Sequence, residues 1–472
     1  MATIGGVITS TLPSTTGSDP YAAVDGSAGA PVGTAQNPTL LNTYHAAAHA
    51  DKRVYGSGPP NYGLADPNYY QPPWWVPGVD YYVGIDRSKY PTDASLKDPA
   101  TIVSGVTFGP GTTVSGQELT IGDNNVTVDG YDFSLENSWS IHWNSGISGT
   151  TISNCKFVMG SNTRPFLWDN TSNKPANLTV INNYIDGNNK PFTTNNSSSS
   201  GTATLHFAST AGITTSHTAW DITTPSATGG ATGITVLTVN PTSIVLSSNL
   251  GANVGNGDLF VFGIFPIDGG LGTCVYTVKG AHVIKYNYYT NSWAVHTQLS
   301  PEDTTGASLT VKYNFFGTSG WGALIHGNHG DNIQAWGQDS TTIGWDTVDC
   351  EFNFTGSFDP TATAQAQPFS IMDASTNISF IGTLTIGYNT NLWPGTSGQT
   401  NTAVVRTSGG YTKNTINLLY NYYDPTGASQ TGAGKWGSIA NDSITAGPFT
   451  PTLVNTGNTN MVDGTNSGPP AT

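Results

Sequence analysis

A chain of 472 residues with 15 Lys+Arg against 30 Asp+Glu carries a net charge of −15, and only 10% of its residues are charged. It has no basic stripe, which excludes a nucleic-acid partner, and no apolar run long enough for a transmembrane helix, which excludes a membrane-spanning role. Hydrophobic residues are only 36%, but 12 Trp, 21 Tyr and short β-branched runs argue for ordered strands over disorder.

Residues 1–100 read as an N-terminal extended arm and a Pro/aromatic-rich cap. The opening stretch, "MATIGGVITSTLPSTTGSDP", lacks the basic start and apolar core of an export signal. This implies synthesis in the cytoplasm, with any exit by lysis or a signal-less route. "LLNTYHAAAHADKRVYG" is the best helix candidate, with Asn42 or Thr43 as N-cap and Gly56 as stop. His45 and His49 lie four apart there, but no third ligand follows, so a solvated helix face is the simpler reading. "PPNYGLADPNYYQPPWWVPGVDYY" cannot form a regular helix and suits a cap or a docking segment.

From about residue 100 a repeat begins. It reads "VDGYDF" from Val128, "ISNCKF" from Ile152, "VINNYI" from Val180, "IKYNYY" from Ile284, "VKYNFF" from Val311, "VDCEFN" from Val348, "IGYNTN" from Ile386 and "LLYNYY" from Leu418. Subtracting these anchor positions gives spacings of 24, 28, 104, 27, 37, 38 and 32 residues. All but one fit a single supersecondary repeat of roughly 20–45 residues. The third residue after the anchor is Asn183, Asn287, Asn314, Asn389 or Asn421 in five repeats, and Tyr286, Tyr313, Tyr388 or Tyr420 precedes it in four. A second recurring piece pairs Trp139 with His142, Trp293 with His296 and Trp321 with His326. His142 and His296 read there as equivalent positions of two strands.

These residues suggest stacked coils of short strands, each burying its anchor and aromatics, with rows of Asn hydrogen-bonded along the stack. The odd spacing requires an insertion at 190–272. It opens with the linker-like "TTNNSSSSGT" and continues with "ATLHF", "GITVLTV", "TSIVLSS" and "GDLFVFG", a small antiparallel β module. The coils then divide into 101–189 and 273–428, and the Gly/Thr/Asn/Pro-rich segment 429–472 reads as a surface tail. The fold class is all-β.

The anchor, Asn and Tyr pattern resembles the right-handed parallel β-helix superfamily, which includes pectate lyases, polygalacturonases and phage tailspikes. The resemblance covers roughly residues 100–425. It implies an elongated right-handed body. Enzymes of the superfamily use clustered carboxylates, the requirement of glycoside hydrolysis. Here the candidates are Glu302, Asp303, Asp331, Asp346, Asp349 and Glu351, with His329 beside Asp331 as acid/base partner. Asp349 and Glu351 alternate with Cys350, so they share one strand face; a merely solvated face is the plainer reading. "HGD" at 329–331 only loosely matches the polygalacturonase Asn-Thr-Asp. No Asp-Asp pair or Arg-Ile-Lys follows it, and the lyase arginine cluster is absent. Trp321, His326, Gln334 and Trp336 surround this corner as candidate glycan contacts.

Cys155, Cys274 and Cys350 are far apart, indicating neither a disulfide framework nor a zinc site. "DGGLGT" from Asp268 resembles one glycine-rich calcium unit but stands alone, so no cofactor or metal is expected. The resulting expectation is a structural virion protein of a tailed phage, at the virion surface or outside the cell. It would be a capsid decoration, fibre or spike, a homotrimer or partner of a coat protein, with polysaccharide as a further ligand. Two alternatives remain open: a polysaccharide lyase or hydrolase, and a non-catalytic glycan-binding or surface-layer protein.

Overall fold

The computed structural model describes residues 84–85, 93–160, 164–169, 174–264, 272–301, 307–317, 319–321, 330–335, 343–351, 353–355, 369–371, 378–387, 389–391, 403–405, 415–419, 421–423, 439–440, 452–456 and 459–460. Among them the fold is all-β, and its strands form three parallel ladders that the chain visits in turn. The first ladder runs Glu118–Ile121, Ser140–Trp143, Leu167–Trp168, the start of Gly272–Lys285, Val295–Pro301, Ile333–Ala335, Phe369–Ile371, Ala403–Val405 and Ile439–Ala440. The second runs Thr127–Asp129, Thr151–Ser153, Ala176–Ile181, the end of Gly272–Lys285, Ser308–Lys312, Ile343–Glu351, Ile378–Gly387, Thr415–Leu419 and Thr452–Thr456. The third begins at Lys156–Val158 and Tyr184–Asp186 and ends at Tyr422–Tyr423 and Thr459–Asn460. Each coil therefore contributes one strand to each ladder, an arrangement consistent with a parallel β-helix. Thr113–Ser115 closes the first ladder's N-terminal edge as an antiparallel hairpin partner of Glu118–Ile121.

Strand periodicity sends alternate side chains inward, and the in-register pairing stacks them into columns. In the second ladder the inward column is Val128, Ile152, Val180, Ile284, Val311, Cys350, Ile386 and Leu418. In the third it is Phe157, Ile185, Tyr289, Phe316 and Thr355. All are buried, and their apolar members join one continuous core. The register corrects one sequence anchor. Val348 pairs with Leu309, whereas Cys350 pairs with Val311. The sixth repeat is thus anchored on Cys350, and Asn353 rather than Glu351 occupies its third position.

Between the second and third ladders the chain turns in two residues. The first of them is left-handed in every described coil before the sixth: Gly130 (φ 72), Asn154 (φ 54), Asn182 (φ 58), Tyr286 (φ 55) and Tyr313 (φ 59). Tyrosine is an unusual occupant of this region. The Tyr286 and Tyr313 rings stack at 5.0 Å with an interplanar angle of 8°, offsetting some of the strain. From the third coil onward the second residue is asparagine. Nδ2 of Asn183 donates to Oδ1 of Asn287, and the row continues through Asn314, Asn353 and Asn389 to Asn421 at 3.0–3.1 Å per step. Each Oδ1 also accepts the backbone N–H of the asparagine in the preceding coil. These amides are buried, and each satisfies the next.

The segment between Tyr184–Asp186 and Gly272–Lys285 forms a six-stranded antiparallel sheet with strands Lys190–Thr193, Thr204–His206, Thr218–Asp221, Ile234–Asn240, Ser243–Leu246 and Leu259–Gly263. It has its own core. It meets the coils through Trp220, which lies 4.3 Å from Trp293, with Val261, Ala294 and Trp321 alongside. The stretch with linker composition is pinned to it. Ser198 and Val254 exchange backbone hydrogen bonds, the amide of Thr194 donates to Asp258, and the amide of Gly201 donates to Leu250. Its Ser and Thr side chains serve as local hydrogen-bonding groups, as Thr194 Oγ1 does toward Gly255.

Two further differences from the sequence reading concern the ends. The ladders continue past residue 428 through Ile439–Ala440, Thr452–Thr456 and Thr459–Asn460, so the segment read as a tail contributes a strand to each ladder. At the other end, the Gly84 amide donates to the Tyr313 carbonyl at 2.9 Å and Ile85 is buried, placing this part of the N-terminal region against the fifth coil. Lys97 bridges Tyr131 in parallel, adding a short step beneath the third ladder. The helix candidate at 40–56, with His45 and His49, and the Pro/aromatic stretch before residue 83 lie outside the described residues, as does Asp268.

Candidate functional site

The corner from 325 to 337 that concentrated the sequence candidates is only partly described. His326, His329 and Trp336 lie outside the described residues. Trp321 is fully buried against the inserted module, so no face of it is open to a sugar. Gln334 occupies an outward register of the first ladder between Gln298 and Ser370, yet it is 3% exposed. Asp331 is 1% exposed, and its carbonyl accepts the His296 amide at 3.1 Å. It precedes a first-ladder strand, whereas Asp349 and Glu351 sit on the second ladder, so these acids belong to different faces of the stack.

Asp349 and Glu351 do share one face. They flank the inward Cys350 on Ile343–Glu351, and both side chains are partly exposed. The sequence reading missed the third member, Lys312, which pairs with Glu351 across the ladder. Its Nζ lies 2.5 Å from Glu351 Oε2 and 4.0 Å from Asp349 Oδ2. On the other side of Glu351 the register places Gly387, which is buried; a Cβ there would lie 3.3 Å from the Leu419 carbonyl oxygen and 3.5 Å from Glu351 Oε1. Burial pushes the Glu351 carboxyl up, Lys312 opposes this, and the neighbouring Asp349 charge adds to it. Residues two apart on a strand are separated by about 6.4–6.8 Å at Cα and project from the same face.

A second cluster lies on the outward side of the first ladder, in its first three coils. Leu119, Ile141 and Leu167 point inward in register, so Thr120, His142 and Trp168 form the outward column. Glu118 Oε1 lies 3.1 Å from His142 Nε2, and its Oε2 accepts from Arg164 Nη1. The Thr120 hydroxyl also hydrogen-bonds His142 Nε2. The His142 and Trp168 rings stack at 5.1 Å with an interplanar angle of 9°, and the Arg164 guanidinium sits 4.8 Å from the Trp168 ring centroid. Burial lowers the His142 pKa, the Glu118 carboxylate pulls it back up, and Arg164 lowers it further.

This cluster corrects the repeat reading of the histidines. His296 pairs with no counterpart of His142, because Gln298 aligns with Val275, which aligns with Trp168. His296 is fully buried, with Nε2 donating to the Gly317 carbonyl 3.1 Å away, while His142 faces out. The sequence signal was the frame "ELTI", "SIHW", "FLW", in which the aliphatic residues mark the inward side. Among the described residues no group of three or more His, Cys, Asp or Glu is placed to hold a metal ion, and no helix is long and apolar enough to cross a membrane.

No protein-family model matches the chain, and no curated protein matches it. Among solved structures it is similar to the tailspike protein gp49 from Pseudomonas phage LKA1, at 9% identity over 72% of this chain and 53% of that one, with a TM-score of 0.16. The gp54 tailspike of Acinetobacter baumannii bacteriophage AP22, in complex with A. baumannii capsular saccharide, matches at 9% identity over 58% of this chain and 53% of that one, with a TM-score of 0.15. The Pseudomonas phage phi297 tailspike gp61 matches at 10% identity over 60% of this chain and 55% of that one, with a TM-score of 0.15. The match spans about half the length of each of these tailspikes.

Proposed function

We propose that this chain is the body of a tailed-phage spike or fibre, a right-handed parallel β-helix that displays glycan-engaging groups on its outer faces. The handedness follows the general preference for right-handed crossovers between parallel strands. The observation that carries the functional reading is the outward Asp349–Lys312–Glu351 group. Carboxylate and ammonium groups held together on a rigid ladder suit hydroxyl-rich ligands. The body assembles as a homotrimer or on a coat protein, at the virion surface.

Imaging of the producing particle and binding of purified protein to the host's surface polysaccharide test this reading. The expected result is a surface position and saturable binding that weakens in Lys312→Ala. A free secreted protein with no polysaccharide affinity would overturn it.

One observation favours a second reading, cleavage of the bound glycan. Burial keeps Glu351 more readily protonated than an ordinary carboxyl, as a general acid requires, with Asp349 on the same face as its partner. On this reading reducing ends appear when polysaccharide is added, and Glu351→Gln or Asp349→Asn abolishes their release while binding persists. Binding without release leaves the structural reading in place.

A further inference from the structure

We infer that the first three coils carry a second ligand site on the first ladder, centred on Glu118 and Arg164, for a neutral polyhydroxylated sugar. The inference rests on the glycan-engaging reading but not on the Asp349–Glu351 group, which lies on another ladder and several coils further along the stack.

The arrangement is a closed ring of contacts. Glu118 holds His142 through one carboxylate oxygen and Arg164 through the other, while His142 and Arg164 both contact the Trp168 ring. Each member is thereby fixed by two others, which removes much of the ordering that a ligand would otherwise have to impose. The group is solvent-facing: the Arg164 side chain is 43% exposed and that of Glu118 25%. Exposed ion pairs add little to folding, so stability alone gives this construction little reason to exist.

The hydrogen-bonding capacity left over points to the ligand. A guanidinium offers five N–H groups and a carboxylate about four acceptor positions. Here one side of each faces the other, leaving donors and acceptors side by side at the solvent edge. Adjacent sugar hydroxyls match that pattern, because each can accept from the guanidinium and donate to the carboxylate. The pair is neutral overall, and the chain carries a net charge of −15, which disfavours a polyanionic glycan. The partly exposed Trp168 supplies an apolar surface next to the polar pair.

Calorimetric titration tests the site, using the full chain with neutral gluco-, galacto- and manno-oligosaccharides and with galacturonate oligomers. At least one neutral oligosaccharide is expected to bind. Its affinity should fall about tenfold or more in both Arg164→Ala and Glu118→Gln, with Arg164→Lys failing to restore it. Circular dichroism of each variant checks that the fold is retained. Absence of binding by any neutral oligosaccharide, unchanged affinity in both variants, or preference for galacturonate would each overturn the inference. Host-polysaccharide binding that survives Arg164→Ala and Glu118→Gln but disappears in Lys312→Ala would remove this site and leave the earlier reading standing.

Discussion

The side-chain amide of Asn183 donates to the carboxamide oxygen of Asn287 at 3.0 Å, although 104 residues separate them in the chain. The inserted module occupies that interval, and the row of asparagines closes across it as if it were absent. Asn314, further along, accepts both the backbone and the side-chain N–H of Asn287 and donates to the Ile284 carbonyl and to Asn353. Asn314→Ala therefore strands two buried donors of Asn287. Each stranded group costs about 1–3 kcal/mol, so a loss of about 2–6 kcal/mol is expected. Urea denaturation of the variant measures it; a loss under about 0.5 kcal/mol, the size of an ordinary surface substitution, would show that the row is not a source of stability.

Acid should unfold the protein through three histidines. Burial holds His217, His282 and His296 at about 4, against an ordinary value of 6.5. The unfolded chain then binds protons that the folded chain refuses. Stability is fully present above about pH 6.5 and is lost as pH falls toward 4. At about 1.4 kcal/mol per pH unit, each histidine accounts for up to about 3 kcal/mol. Asp221 works the other way, since burial raises its carboxyl to about 6 and its protonation on acidification relieves a penalty. Glu351, also raised by burial, acts with Asp221, and the lowered His142 acts with the other histidines; the imidazoles outnumber the carboxyls, so the denaturation midpoint should drop between pH 6.5 and 4. A midpoint flat across that interval would contradict the burial of these imidazoles.

Cys155, Cys274 and Cys350 lie inside the stack and are free thiols. Burial pushes Cys155 up to about 12 and raises the other two as well. Thiolate is the reactive form, so native protein should resist a thiol reagent at pH 8, while denatured protein reacts at all three positions. Rapid labelling of any one thiol in the native state would show that its coil opens readily.

The parts of the fold legible in the sequence are those that physics forces to recur in every coil. An inward position must be apolar, and a buried amide at the corner must find a partner, so Ile284 and Asn287 announce themselves. What failed was register. Val348 and Cys350 both point inward, two residues apart, and strand period alone cannot choose between them; pairing with Val311 decides for Cys350. The first ladder suffered more, because connections of variable length separate it from the second, and anchors on one do not align the other. His142 was for that reason matched to His296. Composition misled at Ser200, whose amide donates to the Asn253 side chain 53 residues away and whose hydroxyl donates to the Leu250 carbonyl 50 residues away. At Ile439–Ala440 a strand of two residues left too short a pattern to read. Of the candidate site, the pairing of Asp349 with Glu351 on one face was legible, whereas Lys312 came from the neighbouring coil.

The inserted module should be held to the coils chiefly by one aromatic contact. Trp220 is 1% exposed, lies 4.3 Å from Trp293 and donates from its indole N–H to the Ala231 carbonyl at 3.2 Å. Replacing a buried tryptophan by alanine costs about 3–5 kcal/mol. The loss should remain local, because the module has a core of its own and the asparagine row bridges the coils without it. Hydrogen exchange on Trp220→Ala should therefore accelerate in Thr218–Asp221 and Leu259–Gly263 while Thr127–Asp129 and Thr151–Ser153 stay protected. Faster exchange throughout all three ladders would mean instead that module and coils unfold as a single cooperative unit, with Trp220 serving both.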